Sequence, residues 1–115
     1  MSESVEGPAV DLLAVGEAML VEAREAGRGR VTKAVVRQPG QNLILLALPA
    51  GGSLPDHEAP GPASLQCLSG EVVLSSEEGS TTLVAGTVCA IPQSTHAVTS
   101  QVDSLCLLSV SLTQP

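Results

Sequence analysis

Beyond Gly29 the chain breaks into short runs of leucine and β-branched residues, each closed by turn residues. Strands are predicted near 31–37, 42–48, 63–68, 71–75, 81–84, 87–91, 96–100 and 104–112. Between them stand Gln38, Pro39 and Gly40, the stretch 49–55, Ser69 and Gly70, Glu77 to Gly79, Ala85 and Gly86, and the stretch 92–95. Turn residues at this density leave no room for the crossover helices of a parallel sheet. The pattern therefore specifies an all-β sandwich or barrel.

The first 29 residues follow a different period. Residues 1–7 read as a polar, acidic tail, and a helix is expected to begin near Gly7 and Pro8. Leu12, Val15, Met19, Ala23 and Ala26 recur at helical spacing, and Leu13 and Leu20 widen the stripe. Gly27 is a natural stop, and Arg24 and Arg28 suit the negative end of the helix dipole. This amphipathic helix must dock on something, either its own barrel or a partner subunit. The expected organisation is a tail and helix over 1–29 and a β-barrel over 30–115.

Composition narrows the function classes. Hydrophobic residues make up 43% of the 115 residues, and there is no Phe, Trp or Tyr. A pocket here lacks the stacking surfaces that usually hold sugars, purines or unpaired bases. The net charge is −7, and all five basic residues fall between Arg24 and Arg37. From Gln38 onward the charged residues are Asp56, Glu58, Glu71, Glu77, Glu78 and Asp103. An acidic barrel repels phosphate backbones, which argues against nucleic acid. It also offers no guanidinium to clamp a phosphorylated or carboxylated ligand. No apolar run approaches a membrane span, and the N-terminus lacks a basic signal region, so a cytoplasmic protein is expected. Cys67, Cys89 and Cys106 are odd in number and form no C-x-x-C pair, which suits small buried apolar residues in a reducing compartment.

Two stretches carry a family resemblance. Residues 51–74, G-G-S-L-P-D-H-E-A-P-G-P-A-S-L-Q-C-L-S-G-E-V-V-L, resemble the first cupin motif, G-x5-H-x-H-x3,4-E-x6-G. Residues 85–98, A-G-T-V-C-A-I-P-Q-S-T-H-A-V, are similar to the second, G-x5-P-x-G-x2-H. The chain as a whole looks like the small single-domain bacterial cupins with a helical leader. The resemblance implies an RmlC-like jelly-roll barrel (a double-stranded β-helix) behind an N-terminal amphipathic helix. It also implies four metal ligands, two of which are missing here. His57 matches the first histidine, but Ala59 stands at the second and Ala63 at the glutamate. Gly86 and Pro92 match the second motif, Ser94 replaces its glycine, and His96 arrives one residue early.

The surviving candidates for a pocket are His57, His96 and Cys67. For a divalent metal they are His57 and His96, with Glu58 or Cys67 as a third ligand. Side chains alternate along a strand, so Glu58 would face away from His57 unless a bulge intervened, which Pro60, Gly61 and Pro62 could supply. Counting back by twos puts Cys67 on the same face as Ala63. A His57, His96, Cys67 set would suit a softer metal. Two neutral imidazoles could instead orient a small polar ligand or switch near pH ~6.5. Nucleophilic catalysis is poorly served: there is no G-x-S-x-G elbow, and no cation lies near in sequence to lower a thiol pKa.

Three readings follow. The first is a cupin-type barrel without a complete metal site, which binds a small, mainly apolar ligand or serves as an interaction module. The second is a metal-dependent cupin enzyme of oxygenase or isomerase type. The third is a structural dimer with a filled core. Lys33 and Arg37 set against the acidic barrel of a second copy favour a homodimer, through steering and register.

Overall fold

A computed structural model describes residues 9–57 and 61–112, with the side chains of Asp56 and His57 outside that description. Among the described residues, one helix, α1 (Leu12–Glu25), is followed by nine strands. They are β1 (Val31–Gln38), β2 (Gln41–Leu48), β3 (Ser53–His57), β4 (Ala63–Ser69), β5 (Glu71–Ser76), β6 (Gly79–Val84), β7 (Val88–Ala90), β8 (His96–Ser100) and β9 (Ser104–Ser111). Every pairing is antiparallel. One sheet runs β1-β2-β9-β4-β7 and the other β3-β8-β5-β6. The all-β jelly-roll expected from the sequence is what forms.

Two apolar cores hold it. Between the sheets pack Leu46, Leu48, Leu65, Cys67, Val72, Leu74, Leu83, Ile91, Val98 and Cys106. On the outer face of the five-stranded sheet, Met19 and Leu20 of α1 cover Leu45, Ala47 and Leu105. The helix therefore docks on its own barrel. This explains why β2 reads as an unbroken apolar run: Leu46 and Leu48 face one core, while Leu45 and Ala47 face the other.

The helix departs from expectation at its start and in its stripe. It begins at Leu12, where Asp11 acts as N-cap and accepts a hydrogen bond from Ala14 N–H at 3.0 Å. Pro8 lies outside the described residues. Leu13 is 55% exposed and Ala26 is exposed, whereas Gly16 is buried. At Gly16 the helix comes so close to the sheet that a Cβ would stand 2.6 Å from Leu105 Cδ1. Gly27 does end the helix, at φ +67°. Arg28 N–H bonds the Ala23 carbonyl at 2.8 Å and Gly27 N–H that of Arg24 at 3.2 Å, a Schellman closure.

Strand β3 is the element the sequence pattern missed, because Gly51, Gly52 and Pro55 read as one long turn. Pro55 is tolerated because β3 is the edge of its sheet, where a missing N–H costs no ladder bond.

Candidate functional site

The two histidines meet through backbone register. His57 closes β3 directly opposite His96, the first residue of β8. Between Leu54 and His57 the register slips by one residue, so β3 carries a bulge at Pro55 and Asp56. This bulge precedes His57; Pro60, where the sequence offered a bulge after it, lies outside the described residues. Glu58, the proposed substitute ligand, lies outside the described residues, as does the His57 side chain.

His96 alternates in phase with Val98 and Ser100, all three buried, and Val98 belongs to the inter-sheet core. The imidazole is 1% exposed. Its Nδ1 lies 3.0 Å from the Ser94 carbonyl oxygen. A carbonyl can only accept, so Nδ1 carries the proton, and in the neutral ring Nε2 holds the lone pair. Ser94, which occupies the glycine position of the motif, thereby fixes the tautomer of the neighbouring histidine. Ala63, at the glutamate position, packs against the inter-sheet core together with Leu54 and Leu108. A polar cleft of about 360 Å³, lined by Ser75, Ser76, Glu77 and Thr95, opens beside the start of β8.

Cys67 does not join this group. It shares the core face with Ala63, as the alternation predicted, but it sits at the other end of the sheets. Its thiol donates toward the carbonyls of Ser69 (3.4 Å) and Gly70 (3.6 Å), next to the first residue of β5. His96 stands opposite Ser76, the last residue of β5. Five steps along a strand separate the two places by about 17 Å. Strand parity gives the face of a residue but not its height, and height removes Cys67 from the set. Among the described residues no group of three His, Cys, Asp or Glu side chains could hold a metal ion.

The cysteines sit in apolar surroundings that disfavour the thiolate. Burial pushes the Cys67 and Cys89 thiols up, and it pushes Cys106 to about 12. Of the basic residues, Arg24 pairs with Asp103 at 2.5 Å, and Arg28 reaches Glu22 at 3.9 Å. Nothing in the sequence near Arg24 pointed to Asp103, which is 79 residues away. Arg30, Lys33 and Arg37 are exposed on or beside β1.

Known structures share this architecture. A cupin superfamily protein from Desulfitobacterium hafniense matches with a TM-score of 0.68 at 20% identity, over 73% of this chain and 78% of its own. An RmlC-like cupin with a double-stranded β-helix fold from Methanocaldococcus jannaschii matches with a TM-score of 0.61 at 16% identity, over 71% and 79%. This chain has the cupin fold. A conserved protein of unknown function from Streptococcus pyogenes matches over 100% of this chain and 98% of its own, with a TM-score of 0.69 at 17% identity. No protein-family model matches the sequence, and no curated protein matches it. No described helix of this cupin-fold chain is long and apolar enough to cross a membrane.

Proposed function

We propose that this cupin-fold protein is a binding module that takes a small, mainly apolar ligand at the barrel end marked by His57 and His96. The observation that carries the reading is Ala63. At the place where the family motif puts a carboxylate, a methyl group packs against the inter-sheet core. Ala59 likewise offers no donor at the second histidine position. The four-ligand cupin set therefore does not fit these residues. What surrounds the inward face here is aliphatic, with Leu54, Leu74, Val98 and Leu108 in or against one core. Against that wall the buried His96 imidazole is the polar group that would orient the ligand.

The test is metal content of the full chain purified without an affinity tag. Below about one tenth of an equivalent is expected, since a working three-ligand site retains its ion. Native mass spectrometry of the same sample should show a retained neutral small molecule that His96→Ala releases. Near-stoichiometric metal, lost on His96→Ala, would overturn the reading.

One observation favours a metal-dependent enzyme instead: His57 and His96 are in direct register. That reading needs Glu58 as the third ligand. It predicts that Glu58→Gln loses metal as completely as His96→Ala does.

Charge layout supports a homodimer. Arg30, Lys33 and Arg37 are exposed at β1, while Glu77 and Glu78 are exposed at the β5–β6 turn of the other sheet. A twofold pair would set each patch on its opposite. Light scattering should then give a dimer mass at low salt that falls as salt is raised.

A further inference from the structure

We propose that Cys67 and Cys106 form a reversible dithiol–disulfide pair inside the barrel, oxidised by a peroxide. The two residues stand directly opposite each other on β4 and β9. Antiparallel neighbours alternate between positions that exchange backbone hydrogen bonds and positions that do not. Cys67 is of the second kind toward β9: its N–H donates to the Thr87 carbonyl at 2.9 Å, and its carbonyl accepts from Gly86 N–H at 2.8 Å. Both backbone groups thus turn toward Gly86 and Thr87, which lead into β7. At such positions the Cα atoms approach to about 4.5 Å and the side chains are at their closest. A disulfide tolerates Cα separations of about 4.4–6.8 Å, so the pair can be bridged with the strands where they are. Both side chains are 0% exposed in the inter-sheet core.

Reversal needs a dithiol reductant with access to the bridge. Access is through β7. That strand has three residues, lies at the edge of its sheet, and leaves Val88 61% exposed. Short edge elements open first, and opening β7 together with Gly86 and Thr87 before it would free that flank of Cys67 while β4 stays paired with β9. Cys89 is opposite Leu65 and in register with neither partner, so it stands apart from the exchange.

The step balances with hydrogen peroxide as the oxidant. The Cys67 sulfur attacks one peroxide oxygen, the O–O bond breaks, and its thiol proton leaves with the departing oxygen as water. The product is a sulfenic acid on Cys67. The Cys106 sulfur then attacks the Cys67 sulfur. The S–S bond forms, the S–O bond breaks, and the hydroxyl leaves as a second water with the Cys106 proton. Two thiols have given two electrons to one peroxide. A dithiol reductant returns two electrons and two protons.

The experiment treats the folded full chain with hydrogen peroxide, then unfolds it and alkylates the remaining thiols for intact mass. The untreated chain takes up three alkyl groups, matching its three cysteines. After oxidation one is expected, on a chain of monomer mass, with all three restored by dithiothreitol. A Cys89→Ser variant, which leaves the core pair untouched, should fall from two alkyl groups to none. Three results would each overturn the proposal. One is a bridge that involves Cys89 or joins two chains. Another is thiol loss that dithiothreitol does not reverse. The last is retention of all three thiols when the chain unfolded in urea is oxidised by the same treatment.

Discussion

The two ends of the barrel are built differently. At the end that holds Gly70, side chains join segments far apart in sequence. Ser104 Oγ accepts from Glu71 N–H at 3.0 Å, 33 residues away, and lies 2.8 Å from the Val102 carbonyl oxygen. Ser100 Oγ donates to the Pro49 carbonyl at 3.2 Å across 51 residues. Asp103 accepts from Ala50 N–H at 2.9 Å and pairs with Arg24 of the helix. At the end that holds His96, the bonds of Gln38 to Gln41, Glu78 to Ser76 and His96 to Ser94 span two or three residues. Among the described residues, one end is clasped by side chains across the chain; the other carries local side-chain turns around the family landmarks and is joined over long range by backbone, Ser111 N–H to the Pro62 carbonyl and Leu112 N–H to the Gly40 carbonyl, each at 2.8 Å. The ligand-binding role proposed for that end suits the second arrangement, because lids and binding loops come from the less stable parts of a fold.

Substitutions at glycines should give the largest contrast. At Gly70, with φ +82°, a Cβ would stand 2.4 Å from the Asp103 carbonyl oxygen. Gly70→Ala is expected to cost about 3 kcal/mol or more in urea unfolding, from backbone strain plus overlap with backbone that cannot move aside. Gly79, with φ +126° at the other end, has nothing within 4 Å, so Gly79→Ala should cost about 1–2 kcal/mol. Equal losses would break the comparison.

Alkaline pH should act next. The Cys106 thiol, ordinarily at 9.0, is pushed to about 12 by burial in the folded chain. Between those values the unfolded chain gives up a proton that the folded chain keeps. From this thiol alone stability is unaffected below pH 9 and falls as pH rises above it, by at most about 1.4 kcal/mol per unit, and Cys67 and Cys89, also pushed up by burial, add to the fall. Urea midpoints measured from pH 8 to 11 should show this fall, and Cys106→Ala should lessen it. Ser104→Ala should cost about 1–3 kcal/mol, since it strips a buried hydroxyl from three backbone groups. Arg24→Ala, at a half-exposed pair, should cost under about 1 kcal/mol and less in high salt. Gln38→Ala, in its local turn, should change stability by no more than about 0.5 kcal/mol.

Most of the fold was legible in the sequence because strand and turn signals are local. Eight of the nine strands announced themselves, and Gly27 marked the helix end. Strand β3 did not, because its proline and neighbouring glycines carry turn chemistry that only an edge position excuses. At the candidate site, the alternation of β4 gave the inward face of Ala63 and Cys67. It could not give the height of Cys67, which depends on how β4 registers against β9 and how β5 registers against β8. The one-residue slip that sets His57 against His96 is likewise a property of two strands together. The Arg24–Asp103 clasp also left no trace in the sequence, since nothing near either residue names the other.

The sheet order leaves four edges, and three are guarded in different ways against pairing with another chain. Strand β1 places Lys33 and Arg37 in solvent, β3 carries Pro55 and a bulge, and β7 is only three residues long. Charge, proline, bulges and brevity are all known deterrents to edge-to-edge growth. Strand β6 has none of them. Gly79–Val84 reads GSTTLV, six residues without a charge or a proline, at the rim of its sheet. The molecule's exposure to templated strand addition, and so to amyloid-like stacking, is concentrated on that single rim.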